Sequence, residues 1–159
     1  PMGVGKTTIG KKVSKKLGVE FADTDKLIVA NHGPIAEIFK NHGEGNFRKL
    51  ESETLASLAE FEGIVATGGG IVLGDQNRDF LKQRTVVYLS TKGQQMRTRL
   101  LSSKKRPLLK NGYEDWVSIY EERKPLYEKV CSEEISIDGS PLASVADRCV
   151  EIYRRIQNA

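Results

Sequence analysis

A partial phosphate-binding motif at the start of the chain constrains its fold more than any other stretch of sequence. The P-loop motif reads G-x-x-x-x-G-K-[ST], and Gly5, Lys6 and Thr7 match its last three positions. Pro1 occupies the first of the four variable positions before Gly5, so the leading glycine of the motif would stand one place before it. A P-loop connects a buried strand to the start of a helix. We therefore expect an α/β domain, N-terminally truncated in this chain, whose first strand precedes Pro1.

Short apolar segments alternate with helical patterns along the rest of the chain. The spacing and type of residues predict helices at 7–17, 26–31, 35–42, 46–60, 93–101, 115–130 and 142–156. Strands are predicted at 19–22, 64–67, 86–89 and 135–137. Pro125 is expected to interrupt its helix, and the polar, basic segment 102–113 is expected to be a loop. This alternation is typical of an open, mostly parallel sheet with helices on both faces, which predicts a single domain over residues 1–159.

Composition narrows the class of protein without choosing a ligand. The chain is 38% hydrophobic and 29% charged, and no apolar stretch is as long as a membrane span. Its net charge of +4 suits an anionic small molecule or a nucleic acid equally well. Cys131 and Cys149 lack the spacing of a metal site, so we expect reduced thiols in a cytosolic protein.

The motif residues have distinct expected roles in binding a polyphosphate. Gly3 and Gly5 let the backbone bend so that successive N–H groups face an anion. The helix that begins near Lys6 adds the positive end of its dipole. The Lys6 ammonium would contact the phosphates and the Thr7 hydroxyl would bind Mg²⁺. The simpler alternative is a glycine-rich turn followed by a basic helix.

Two carboxylates follow the strand predicted at 19–22. Asp23 and Asp25 are two residues apart, so in an extended segment both would point to the same face. They would then lie at the edge of the sheet where α/β proteins bind ligands. One carboxylate could assist Mg²⁺ while the other accepts a hydroxyl proton. The sequence D-T-D is also typical of a helix N-cap and turn, and that alternative stays open.

Three consecutive glycines follow the strand predicted at 64–67. Gly68, Gly69 and Gly70 are costly in backbone entropy, which indicates that another group approaches this backbone closely, although an unconstrained loop is the alternative. Elsewhere, Arg48 and Glu51 share one helix face, where the carboxylate could hold the guanidinium in place. An ordinary surface pair is the alternative interpretation.

A basic cluster lies within the loop predicted at 102–113. Lys104, Lys105 and Arg106 could close over a polyphosphate as part of a lid and neutralise its charge. A solvated run of charge and a nucleic-acid patch are the alternatives. Aromatic residues do not interleave with these charges, which argues against nucleic acid.

Taken in order, the segments GVGKTT, DTD, GEGNFR, TGGG, RPLL and ERKPLY resemble the shikimate kinase family over nearly the whole chain. The resemblance implies a three-layer P-loop kinase fold with a five-stranded parallel sheet. It also implies ATP-dependent phosphorylation of the shikimate 3-hydroxyl, within chorismate and aromatic amino-acid biosynthesis. A cytoplasmic monomer that binds neither nucleic acid nor membrane would follow.

The same resemblance assigns roles to residues at matching positions. Lys6, Asp25 and Arg106 correspond to the catalytic residues, and Thr7 and Asp23 to those near Mg²⁺. ATP would contact Gly3, Val4, Gly5, Lys6, Thr7, Thr8, Arg99, Arg106 and Pro141. Shikimate would contact Asp25, Arg48, Gly69, Gly70 and Arg123.

Other functions compete with this interpretation. A gluconate kinase also needs a carboxylate site, and nucleoside monophosphate kinases share the P-loop. A GTPase-type switch should carry N-K-x-D to read guanine, and the nearest string, Thr91 to Gln94, lacks the aspartate. These alternatives differ in the acceptor that they phosphorylate or in hydrolysing GTP.

Overall fold

A computed structural model of the chain describes residues 1–101 and 107–159. Its helices are α1 (Lys6–Leu17), α2 (Thr24–His32), α3 (Ile35–Ser57), α4 (Asp75–Lys82), α5 (Met96–Leu101), α6 (Tyr113–Val130) and α7 (Leu142–Gln157). Its strands are β1 (Glu20–Asp23), β2 (Gly63–Ala66), β3 (Val87–Ser90) and β4 (Glu133–Ser136). A short 3₁₀ helix spans Ile71–Leu73. All four predicted strands are thus confirmed to within a few residues.

The strands pair in parallel, as the alternation of strands and helices predicts. β1 pairs with β2 from Glu20 opposite Gly63, and β3 pairs with β4 from Val87 opposite Glu133. Within the described residues these are two separate two-stranded sheets. The parallel pairing is therefore confirmed, while a single five-stranded sheet stays a prediction.

The helices predicted at 35–42 and 46–60 are separated as expected, because α3 is broken at Gly43, whose φ of 80° is not helical. Two other helical features differ from the pattern expected from the sequence. Helix α6 continues through Pro125 instead of being interrupted. Pro125 lies on the exposed side of α6, where water can satisfy the carbonyl left without a donor. Helix α4 was not predicted, because few apolar residues mark its eight positions.

Two apolar clusters support the fold. The larger joins the inner faces of α1, α6 and α7 to β3 and β4, with fully buried members such as Val4 and Val145. The smaller, centred on Ile28, Ile38 and Phe47, holds α2 against α3. None of the helices in the described residues has the length and apolar character needed to cross a membrane.

Candidate active site

A cavity of about 500 Å³ opens where the P-loop (residues 1–7), the start of α2, the middle of α3, the glycine loop (residues 68–70) and α6 meet. We call this cavity the cleft. It brings together residues that are far apart in sequence. The predicted site residues that line it are Gly3, Gly5, Lys6, Thr7, Thr8, Asp23, Asp25, Arg48, Gly69, Gly70 and Arg123.

The remaining predicted site residues lie elsewhere. Val4 is fully buried in the larger apolar cluster, while Arg99 and Pro141 lie outside the cleft lining. Arg106, with Lys104 and Lys105, falls outside the described residues, as does the part of the predicted lid at 102–106.

The P-loop has the backbone that phosphate binding requires. Gly3 and Gly5 have φ values of 79° and 98°, a left-handed conformation that side chains with a Cβ rarely adopt. Helix α1 begins at Lys6, so its N-terminal N–H groups and dipole face the cleft. The Lys6 ammonium donates a hydrogen bond to the Pro1 carbonyl, which holds it against the loop.

Groups behind the P-loop fix its carbonyls. The Trp116 indole N–H donates to the Met2 carbonyl at 2.9 Å, and Arg99 Nη1 donates to the Gly3 carbonyl at 3.1 Å. Trp116 belongs to no motif in the sequence, and its contact with the P-loop is seen only in the folded chain. Pro141 precedes α7, whose first residue packs on the loop: a Cβ on Gly5 would lie 3.2 Å from Leu142 Cδ2.

Asp23 has two partners, one for each carboxylate oxygen. Its Oδ1 accepts the Lys26 N–H at 3.1 Å and caps α2, so the N-cap interpretation of D-T-D is confirmed for this residue. Its Oδ2 accepts the Thr7 hydroxyl at 2.5 Å. The two side chains therefore place two hard oxygen atoms side by side at the foot of the cleft.

Asp25 lies in the first turn of α2. The expectation of one extended segment carrying both aspartates is therefore wrong, because Asp23 ends β1 and caps the helix that Asp25 begins to build. The buried Asp25 Oδ1 has no hydrogen-bond partner in the described part of the chain. Burial, and secondly the charge of Asp23, raise the pKa of Asp25 above its usual value, against the opposing charges of Lys6 and Arg48.

Arg48 is held by a buried carboxylate. Its Nη1 donates to Glu51 Oε1 at 2.5 Å, and Glu51 is only 1% exposed. Glu44 accepts a second hydrogen bond, from Arg48 Nε at 3.3 Å, and the guanidinium lies 5.3 Å from the ring centroid of Phe47. The interpretation of Arg48 and Glu51 as a surface pair is therefore wrong. Burial raises the pKa of Glu51, and the positive charge of the adjacent Arg48 opposes this increase.

The glycine loop is closely approached by these charged groups. A Cβ on Gly70 would lie 2.0 Å from Arg48 Nη1, and a Cβ on Gly68 would lie 2.7 Å from Asp25 Oδ1. Neither glycine has a positive φ, so space and not backbone conformation requires glycine here. The expectation of a close approach is confirmed, and the alternative of an unconstrained loop is wrong.

Two side chains that fix the glycine loop were missed. The fully buried Thr24 accepts the Gly68 N–H on its hydroxyl at 3.1 Å. The Tyr127 hydroxyl donates to the Gly69 carbonyl at 2.7 Å. Tyr127 is one helical turn after Arg123 on α6, and both are buried. This spacing places Tyr127 on the same face of α6 as Arg123, but it does not indicate which loop the tyrosine contacts.

Comparison with known proteins gives one consistent result. The shikimate kinase family model matches residues 2–154. The shikimate kinase of Marinomonas sp. is 41% identical, with 98% of this chain and 89% of the relative covered. That of Bacillus cytotoxicus is 42% identical, with 99% and 94% covered. The structure of the shikimate kinase from Acinetobacter baumannii in complex with shikimate has a TM-score of 0.91 and 36% identity, with 98% of this chain and 89% of that one covered. These structural matches establish an α/β P-loop kinase fold.

Proposed function

The chain belongs to the shikimate kinase family, and we propose that ATP and shikimate meet in the cleft, one at each end. The observation that carries this assignment is that a buried carboxylate oxygen of Asp25, which has no hydrogen-bond partner among the described residues, shares one cavity with Lys6 and the P-loop. A phosphate-binding loop and a base for a hydroxyl proton are the two parts that a small-molecule kinase needs.

The P-loop end of the cleft is assigned to the nucleotide. Successive backbone N–H groups, the start of α1 and the Lys6 ammonium offer positive charge to the β- and γ-phosphates. Arg99 lies beside this loop, since it donates to the Gly3 carbonyl, and this contact supports its assignment to ATP. Pro141 is assigned to ATP with it. Arg106 belongs to the same proposal through its position in the sequence.

The Thr7 and Asp23 pair fits Mg²⁺. Mg²⁺ prefers hard oxygen ligands and usually keeps several waters beside one or two protein groups. The Thr7 hydroxyl and Asp23 Oδ2 supply such oxygens 2.5 Å apart. The ion would contribute charge neutralisation on the phosphates when it is bound. To bind Mg²⁺ directly, Asp23 Oδ2 would have to lose the hydrogen bond that it accepts from the Thr7 hydroxyl.

The opposite end of the cleft is assigned to shikimate. Arg48 and Arg123 come from α3 and α6 and line the same cavity, where two guanidinium forks can bind one carboxylate. Arg123 is 5% exposed and Glu51 1%, so this end is well shielded from water. The backbone of Gly69 and Gly70 closes the site.

Asp25 and Lys6 divide the chemical work. The substrate hydroxyl attacks the γ-phosphorus, a new O–P bond forms, and the bond to the bridging oxygen of the β-phosphate breaks to release ADP. Asp25 accepts the hydroxyl proton, and its raised pKa makes it a better base than an ordinary carboxylate. Lys6 stabilises the negative charge that shifts toward the leaving group.

Replacing Arg48 by lysine tests this assignment. Arg48→Lys should weaken shikimate binding about tenfold, because an ammonium cannot reproduce a planar, bidentate contact. ATP affinity should stay unchanged, since the P-loop holds the phosphates. Calorimetric titration of both ligands into the wild type and the variant measures both affinities.

Two other acceptors serve as controls for the function. Wild-type turnover should be seen with shikimate and not with gluconate or nucleoside monophosphates in an assay coupled to ADP release. An equal loss of affinity for ATP and shikimate in Arg48→Lys, or unchanged shikimate affinity, would remove Arg48 from the acceptor end.

The finer organisation of the sheet is also a proposal. A groove of about 400 Å³ is lined by residues of both β2 and β3, including Ile64, Val87 and Leu89. In the described residues each of these strands pairs on one side only. A parallel strand in this groove would join the two sheets into one of five strands, and the strand predicted before Pro1 is the proposed occupant. The cytoplasmic location, the monomeric state and the lack of nucleic-acid binding remain predictions.

A further inference from the structure

The Tyr127 hydroxyl is a buried polar group of α6 to which the proposed chemistry gives no role. Tyr127 is 7% exposed, and its ring packs among Tyr88 and Tyr120 at centroid distances of 5.2 and 6.3 Å. Its hydroxyl leaves this aromatic cluster to donate to the Gly69 carbonyl across 58 residues of sequence. A buried tyrosine hydroxyl usually has a hydrogen-bond partner, and here the acceptor is a carbonyl of the loop assigned to shikimate.

That hydrogen bond determines which way one peptide of the glycine loop faces. The Gly69 carbonyl and the Gly70 N–H belong to the same trans peptide, so they point in opposite directions. With its carbonyl held toward Tyr127, the peptide directs the Gly70 N–H away from α6. Arg48 approaches the same residue, since its Nη1 would be 2.0 Å from a Cβ on Gly70.

The other two carbonyls of the loop and one of its N–H groups are already hydrogen-bonded. The carbonyls of Gly68 and Gly70 accept the N–H groups of Ile71 and Leu73 at 3.2 and 3.0 Å, and the Gly68 N–H donates to Thr24. The N–H groups of Gly69 and Gly70 pair with no acceptor in the described part of the chain. Two backbone donors are thus available at the edge of the cleft.

We propose that Tyr127 is a positioning residue that fixes the Gly69–Gly70 peptide so that the Gly70 N–H is presented to shikimate. The inference rests on the proposed acceptor end of the cleft. Helix α6 then carries both the carboxylate-binding Arg123 and, one turn later, the hydroxyl that orients the loop. Thr24 holds the same loop at a second point, because its hydroxyl accepts the Gly68 N–H.

The hydroxyl remains a donor over the whole range of an enzyme assay. Burial raises the pKa of Tyr127 to about 12, although the charge of Arg123 and its hydrogen bond to the hydroxyl oppose the shift. Removing the hydroxyl should therefore change substrate affinity without adding or removing a step in the pH profile. A residue that took part in proton transfer would move that profile.

Tyr127→Phe tests the inference, because it removes the hydroxyl and keeps the ring. The KM for shikimate should rise about three- to tenfold, which is the range expected for one lost hydrogen bond. The KM for ATP should stay within about twofold of the wild type. Tyr120→Phe is the matched control: its hydroxyl contacts Tyr88 and the Thr91 N–H, not the glycine loop, so it should leave both KM values unchanged.

Each outcome separates this inference from the proposed site. An unchanged shikimate KM in Tyr127→Phe, or an equal rise in the KM for ATP, overturns the inference. If the shikimate KM is raised in Arg48→Lys, the assignment of the acceptor end is kept. An unchanged value in Arg48→Lys removes the acceptor end itself. If Tyr127→Phe does not fold, amide hydrogen exchange of the wild type followed by NMR replaces it, because saturating shikimate should slow exchange of the Gly70 N–H. Equal exchange of that amide with and without shikimate would also overturn the inference.

Discussion

Lys6→Ala should lower kcat by at least about 10²–10³-fold while the protein stays folded. The Lys6 ammonium is the one cationic side chain of the P-loop itself, and charge stabilisation carries most of the acceleration in phosphoryl transfer. The fold should survive because Ile9 and Val13, not Lys6, form the buried face of α1. Turnover is measured by an assay coupled to ADP release, and folding by circular dichroism and the midpoint of thermal unfolding.

Lys12→Ala supplies the matched control. Lys12 lies on the same helix and is exposed, so its loss changes the net charge equally without touching the cleft. Its turnover should equal that of the wild type. Near-normal turnover in a folded Lys6→Ala variant, or an equal fall in the control, would contradict the role given to the P-loop lysine.

Local features of the sequence predicted much of the fold. Apolar spacing and β-branched runs located the four strands, and Gly18 marks the end of α1 in a left-handed conformation, as a helix stop should. Helix α4 was not predicted because its exposed positions are polar and only a few of its side chains reach the core. The interruption predicted at Pro125 was wrong because a proline on the solvent side of a long helix destabilises it less than one facing the core.

The site was predictable to the extent that its residues sit in motifs. Gly5, Lys6 and Thr7 follow a known spacing, and the cluster of glycines at 68–70 signalled a close approach. The partners of that loop were not predictable. Thr24 and Tyr127 reach it across 44 and 58 residues, and no local pattern encodes contacts at such separations. The burial of Glu51 depends in the same way on the packing of α3 against the loop.

The second large effect is expected from Asp25→Asn, which should reduce kcat about 10²–10⁴-fold, the usual contribution of a general base. An amide oxygen can still accept a hydrogen bond from the shikimate hydroxyl but cannot take its proton. The KM for shikimate should therefore change much less than kcat. The acid limb of the wild-type pH–rate profile, where Asp25 becomes protonated, should be missing from the residual activity of the variant.

The same substitution should make the protein more stable at neutral pH. Burial and the neighbouring Asp23 raise the pKa of Asp25 in the folded protein, so the folded state holds this proton more tightly than the unfolded chain does. Wild-type stability is therefore full below the pKa of the unfolded carboxyl and falls as the pH rises through the raised folded value. Asparagine carries no charge and avoids that loss. The thermal midpoint of Asp25→Asn should exceed that of the wild type at pH 7, and the two should converge as the pH falls below the ordinary pKa of aspartate. A variant less stable than the wild type at pH 7 would show that the carboxylate is stabilised where it lies, and the argument for a destabilised base in the cleft would fail.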